Sequence, residues 1–323
     1  MADVNINAGN ISSVNLRQQG SNPTAPANGI KLFEKASGIY FVDSNSVVSG
    51  PLGAMFTPGG RLSMQSGTAV TTTDMHSGTS LWYNPHIHDM LSLWDGSKIV
   101  PVQFAPTAIS LAGLSGTSSF DVFTYLNSGV PAYETSMWTS PTVRAVDISM
   151  QNGRKCKVGD ATRLYLGSFY TSSGGQTDDS ATKRFVWNYY NRVDRKLYKT
   201  DSTGHTYNNA TIRAWNNDAA QRVEYICGVV ENTITLILHK VSISSNNAQY
   251  YSFVVAAPDV TDNLDVTYPI LAASTGLLSI GYVESSAIAM PILGYHFISI
   301  NELSTASATH TFSSYYFQGA ILG

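Results

Sequence analysis

Residues Ala181 to Tyr198 read ATKRFVWNYYNRVDRKLY, and the alternation within them sets the fold class. Phe185, Trp187 and Tyr189 alternate with Arg184, Val186, Asn188, Tyr190 and Arg192. Period two puts these two sets on opposite faces of a strand. In a helix Phe185 and Tyr189 would share a face, but Trp187 and Arg192 would swing away from it. Aromatic and β-branched residues suit a pleated, half-buried surface, so the stretch predicts a strand. One face carries three rings, each burying roughly 150–250 Å² when covered, and is expected in the core. The other face and the run beyond it gather Lys183, Arg184, Arg192, Arg195, Lys196 and Lys199 against Asp194 alone. That face is expected to be solvated, with Arg192 and Arg195 as candidate ligand contacts.

Outward from this strand the same pattern repeats, and no convincing amphipathic helix interrupts it. Before it come Thr68–Thr73, Leu81–Tyr83, Ile99–Phe104, Phe120–Leu126, Thr142–Ile148 and Ala161–Tyr170. After it come Val223–Val229, Thr233–Val241, Tyr250–Val255, Leu277–Val283, Tyr295–Ile300 and Thr309–Phe317. Turn clusters such as Asp95-Gly96, Asn127-Ser128-Gly129 and Gln151-Asn152-Gly153 separate them. Short strands at this spacing predict an all-β, antiparallel β-sandwich or jelly-roll-like domain over residues 68–323.

The chain before that domain divides into three. Residues 1–29 form a polar, extended N-terminal arm in which Val4, Ile6, Val14 and Leu16 alternate with polar residues. These short pieces bury too little alone, so they are expected to attach the protein to a partner by strand addition. Residues 30–52 read as a small β hairpin unit, with Ile30/Leu32 and Ile39/Phe41 alternating. Residues 53–67, with Pro58-Gly59-Gly60, read as a linker. At the other end Ile321 and Leu322 either close the sandwich as a last strand or meet symmetry mates at an oligomer interface.

Composition excludes several classes of function. Charged residues make up 13% of the chain, about half the usual share, so surfaces can meet other chains with little desolvation penalty. The net charge of −3 disfavours a polyanion binder. The basic and aromatic run at 183–199 would suit single-stranded nucleic acid, but its rings alternate as a core face does. Cys156 and Cys227 belong to no CxxC pattern, so zinc and redox motifs are absent. No charged segment followed by an apolar run opens the chain, and the apolar tracts are too short to span a bilayer. A soluble protein, not secreted by the ordinary route, is expected.

Site chemistry is sparse. His86-Ile87-His88-Asp89 puts two imidazoles on one side of an extended segment, yet no third metal ligand can be named. Asp178-Asp179 is a carboxylate pair, but neighbours on a strand point oppositely, whereas glycoside hydrolysis needs two carboxylates facing across a cleft. These two are expected in a solvated loop. No phosphate loop or nucleophile elbow occurs. The sequence therefore assigns no catalytic, cofactor-binding or metal-ligating residue. Flat rings beside turns suit saccharides, which makes Tyr83, Trp94 and Trp215 candidate ligand contacts.

Several stretches resemble a family of bacteriophage virion proteins described as tail-fibre, spike or capsid-fibre-like. Lys183 to Val193, with Trp187-Asn188-Tyr189-Tyr190-Asn191-Arg192 at its centre, is the most specific. Leu81 to Pro85, Leu93 to Gly96, Phe120 to Leu126, Thr162 to Phe169, Leu293 to His296 and Gly319 to Gly323 follow the same order. Ile30–Val48 also resembles a β unit near the start of phage fibre proteins, while Asp194 and Lys196 stand where prolines are expected. The resemblance implies a virion surface role, on tail or head, makes three the expected number of chains, a homotrimer, and brings no catalytic residues. The expected protein is a non-enzymatic tail appendage held by its N-terminal arm, with host-surface glycan as a candidate ligand. A capsid decoration or head-fibre protein is the alternative, and a polysaccharide-degrading tailspike enzyme a second one. Other virion proteins are the expected partners, with neither nucleic acid nor membrane insertion involved and no cofactor required.

Overall fold

The strand Asp160–Ser173, at 14 residues the longest, is the spine of the molecule. The structure, a computed structural model, describes residues 18–35, 38–49, 56–245, 251–262, 270–275, 281–305 and 308–323. Among them strands dominate, a single turn of 3₁₀ helix occurs at Trp215–Asn217, and no α-helix forms. Pairing is antiparallel throughout except where Lys183–Arg184 runs alongside Arg222–Cys227 and where Gln18 bridges Glu34. The chain is an all-β protein of packed antiparallel sheets.

Two sandwiches share one sheet. That sheet runs through Val130–Met137, Ser119–Asn127, Asp160–Ser173, Gln176–Ser180, Lys183–Arg184, Arg222–Cys227, Gly294–Leu303, Tyr251–Pro258 and Ile270–Thr275. At one end smaller sheets cover it, built from Gly60–Ser63, Ser80–Pro85 and Thr107–Ser110, and from Met90–Trp94 with Ile99–Gln103. Leu81, Leu91, Leu93 and Ile109 there meet Phe120, Val122, Leu164, Leu166 and Phe169 in one core. At the other end a five-stranded sheet covers it, containing Asp194–Asp201, His205–Tyr207, His310–Leu322, Ile234–Ser245 and Gly281–Ala289. Leu197, Leu236, Leu238, Phe312, Phe317 and Ile321 meet Val223, Tyr225, Val254, Ile298 and Ile300 in a second core. Phe123, Tyr165, Tyr170, Phe185, Trp187 and Ile226 form a third cluster.

Local irregularities in the spine make this arrangement work. Its register against Ser119–Asn127 shifts between Val122 and Phe123, so that Leu166 is an extra residue. The shift flips the parity of the strand, which lets Leu164 and Phe169 face the same core although they are five residues apart. Gly167 lies opposite Asn188, where a Cβ would collide with the Trp187 carbonyl, so the close pairing with Val186–Asn188 needs glycine.

Several expectations are corrected. The run 183–192 is not one strand: Lys183–Arg184 and Val186–Asn188 are short strands broken at Phe185, and bends follow from Tyr189. Phe185 and Trp187 are buried, and so are Arg184, Val186 and Asn188 on the other side. Val186 enters the first core, Asn188 bonds both backbone groups of Leu62, and Arg184 is 9% exposed. Short strands with packed side chains on each side have no solvated face. The linker expected over 53–67 contains the strand Gly60–Ser63, all four residues of it buried. Arg61 reaches from it to the carbonyls of Asn191 and Gly323, the latter at 2.7 Å. Thr68–Thr73 and most of Thr142–Ile148 are turns instead of strands. Ahead of the sandwiches, Ile30–Lys35, Gly38–Asp43 and Val48–Ser49 form a small separate sheet, on which Ile30, Leu32 and Ile39 are exposed.

Candidate functional site

Among the residues the sequence nominates, Trp94 lines an open cleft. The cleft holds about 510 Å³ between three chain segments and is lined by Trp94, Asp95, Val100, Leu126, Ser128, Gly129, Thr162 and Arg163. Each wall has a local cause. Trp94 ends the strand Met90–Trp94, opposite Ile99, and the turn between them is closed by the Asp95 side chain. Asp95 Oδ1 accepts from Ser97 N at 2.8 Å, Ser97 Oγ at 2.9 Å and Lys98 N at 2.9 Å. The Lys98 amide, with help from Ser97, holds the Asp95 carboxyl below its ordinary range. The second wall is the hairpin turn at Ser128-Gly129, both with positive φ, as a two-residue turn between twisted strands demands.

The third wall fixes a cation. Asp160 Oδ1 accepts from Thr162 N at 3.0 Å and Thr162 Oγ1 at 2.6 Å, tightening the start of the spine strand. Arg163 then lies 3.8 Å over the Tyr125 ring, donates Nε to Glu134 Oε2 at 2.9 Å and donates Nη1 to Thr162 Oγ1 at 2.7 Å. The other Glu134 oxygen takes Lys157 Nζ at 3.1 Å. Stacking and bonding on two nitrogens pre-set the guanidinium plane, and Nη2 has no intramolecular partner among the described residues. A half-buried indole, a fixed planar cation, a carboxylate and two hydroxyls around one cleft match the apolar face and hydroxyl rim of a sugar ring.

The other nominated residues lie elsewhere, and most are corrected. Tyr83 is 1% exposed, packs 4.9 Å from the Phe104 ring and takes the Gly60 amide on its hydroxyl. Trp215 is fully buried, donating Nε1 to Asp201 Oδ2 at 3.0 Å. Both flank turns, but their side chains point into a core. Arg195 is buried and donates to Asp179 Oδ2 at 2.7 Å, while Arg184 donates to Asp179 Oδ1 at 2.9 Å. Asp178 and Asp179 are thus on a buried strand, where the sequence places a solvated loop. Arg192 is partly exposed, paired with Glu231 at 3.0 Å and stacked over Trp187 at 5.4 Å. Ile321 is 3% exposed in the second core and its strand pairs with Asp194–Asp201, as a last strand closing the sandwich does; Leu322 beside it is half-buried. Val4, Ile6, Val14 and Leu16 lie outside the described residues. His88 Nδ1 accepts the Met90 amide at 3.1 Å, and no group of three metal-ligating side chains assembles among the described residues.

Asp95, Thr162 and Arg163 carry no site signal in the sequence. The Asp-x-Thr-Arg run at 160–163 reads only as a turn entering a strand, and pairing across the fold brings it to Trp94. The same holds for the buried network of Arg144, which donates to Asp121 at 2.8 Å and lies 4.4 Å over Trp138. Among the described residues no helix is long and apolar enough to cross a membrane. No family model matches the chain, and no curated protein matches it.

Proposed function

We propose that this protein is a non-enzymatic saccharide-binding module of a bacteriophage virion, a tail-fibre or spike-like appendage held by its N-terminal arm. The observation that carries the binding half is the Trp94–Arg163 cleft, with its ring, fixed cation and free acceptor. The virion half rests on the resemblance of the Lys183–Val193 stretch and its companions to phage fibre proteins. A sugar would lay its apolar face on Trp94, accept from Arg163 Nη2 and donate to Asp95. Two carboxylates at this end, Asp95 and Asp160, are held below the ordinary carboxyl range by hydrogen bonds. That suits a hydrogen-bond acceptor at these two positions, and not the general acid of a glycosidase, which needs a raised pKa.

A homotrimer fits the small sheet, whose exposed Ile30, Leu32 and Ile39 would be covered by symmetry mates. Light scattering should give three chains, and a monomer at micromolar concentration would defeat that part. The binding half is tested by calorimetry with oligosaccharides cut from the host surface polysaccharide. Trp94→Ala should weaken binding about tenfold or more, a loss of at least ~1.4 kcal/mol, with no release of reducing ends by either protein. Equal affinity of the variant and the parent would refute the cleft, and released reducing ends would favour the enzyme.

A further inference from the structure

We propose that a second cleft, at Lys183, Lys199 and Arg222, binds the carboxylate of an acidic saccharide. The cleft holds about 460 Å³ and is also lined by Thr182, Ala219, Ala220 and Glu224. Two sheets build it. Lys183 belongs to the shared sheet, opposite Glu224, and Lys199 belongs to the five-stranded sheet, opposite Phe317. They are brought together because Tyr198 N donates to Ala181 O at 2.8 Å, while Glu224 N donates to Thr182 O at 2.8 Å. The alanines contribute no bulk, so the cleft stays open.

The charge within it is unbalanced. Three cations face one carboxylate, and Glu224 is already held by Arg222 at 3.4 Å and by the Tyr295 hydroxyl. The neighbouring acids are engaged as well. Asp74 takes the Ala181 amide, Asp179 lies between Arg184 and Arg195, and Asp218 accepts from Ala220 N and Gln221 Nε2 in its own turn. Lys183 and Lys199 have neither an ion pair nor a hydrogen bond among the described residues. Several arginines elsewhere are paired, Arg144 with Asp121, Arg163 with Glu134, Arg192 with Glu231 and Arg213 with Glu302, whereas here two lysines without an ion pair line one cleft. Lys183 Nζ lies 5.8 Å over the Phe185 ring, and with Lys199 and Arg222 it lines a concave volume holding more cations than carboxylates, the complement of an anion.

The size of the charge excess separates the candidate ligands. A polynucleotide needs a track of cations and exposed rings for stacking, but Phe185 beside Lys183 is 1% exposed and the chain is net negative. One localised anion fits better. That its carrier is a saccharide rests on the reading of the Trp94 cleft, whereas the anion site rests on the lysines alone.

The test is calorimetry on the full chain with a uronic-acid trisaccharide, the same trisaccharide with its carboxyls reduced to alcohols, and a single-stranded oligonucleotide. The acidic trisaccharide should bind more tightly than the reduced one, and more weakly at high salt. Lys183→Gln with Lys199→Gln should lower affinity for the acidic form about tenfold, leaving the reduced form and the melting temperature unchanged. Loss on this variant with none on Trp94→Ala would uphold the anion site and sink the first cleft. Loss on Trp94→Ala with none on the lysine variant would overturn the anion site. So would absence of binding at about 1 mM acidic trisaccharide, the edge of weak association, or tighter binding of the oligonucleotide.

Discussion

Replacing Asp179 by Asn isolates the polar link between the two sandwiches. Its carboxylate is 4% exposed and is clamped by Arg184 Nη1 at 2.9 Å and Arg195 Nη2 at 2.7 Å, with Thr71 Oγ1 at 3.3 Å. Asparagine keeps the shape but removes the charge and points an amide at one of the two guanidinium groups. Breaking a buried pair from one side costs about 3–5 kcal/mol, because the remaining charge stays buried without compensation. The entropy of unfolding near 60 °C is about 2.1 cal/mol/K per residue, or roughly 0.7 kcal/mol/K over this chain, so ~4 kcal/mol lowers the melting temperature by ~6 °C. The internal control is Asp178→Asn, one residue away. Asp178 accepts only the Ser77 amide at 3.2 Å and faces His76, which is 60% exposed. That change should cost about 1 kcal/mol, or ~1.5 °C. Differential scanning calorimetry reads both. Equal shifts for the two variants, or less than ~2 °C for Asp179→Asn, would show that the arginines do not depend on this carboxylate.

Three further outcomes are expected. Trp187→Ala should destabilise by about 3–5 kcal/mol and Arg192→Ala by well under half of that, because Trp187 is 2% exposed while Arg192 sits at the surface beside Glu231; equal small losses in urea unfolding would contradict this. Burial pushes the Cys227 thiol up to about 12 and raises Cys156 as well, so neither should react with a thiol reagent at pH 8 until the protein is unfolded. Saccharide binding at Trp94 should be flat from about pH 8 to pH 5, and should fall only as Asp95 protonates below the ordinary carboxyl range. A midpoint at or above about pH 5 would mean that another group controls it.

The alternation of Phe185 and Trp187 was legible because burial on one face leaves a period of two in the chain. What the opposite face does was not. Arg184 and Arg195 look solvated until Asp179 folds back against them, a contact made across a turn that no periodicity records. Pro58-Gly59-Gly60 looked like a linker for a similar reason. A Cβ at Gly59 would run into the His88 carbonyl and ring, and one at Gly60 into the Tyr83 ring, so these glycines mark close packing instead of slack. Tyr83, Trp94 and Trp215 all adjoin turns, and that rule found one residue at a cleft and two in the interior. Adjacency to a turn tells how near a side chain is to the surface along the chain, but the strand face decides where it points. For Trp94 the deciding partner was Arg163, whose guanidinium is held by Tyr125 and Glu134 from the neighbouring hairpin.

The scarcity of charge gives those pairings their meaning. A chain with 19 lysines and arginines and 22 acids could leave most of them on the surface as solvated singles. Instead Asp121, Asp179 and Glu302 are spent inside, each against arginine, and neutral serine, threonine and asparagine cover much of the outside. Burying them adds little net stability, since desolvation offsets most of the Coulomb attraction. Their effect is to fix register: Arg61, Arg144 and Arg195 each tie segments far apart in sequence, and a slipped strand would strand a charge in the core. The arginines carry most of these pairings, and the lysines largely do not. Arg163 Nη2 at one end, and Lys183 with Lys199 at the other, are cationic groups without a hydrogen bond or ion pair among the described residues, and the two proposed ligand sites are built on them.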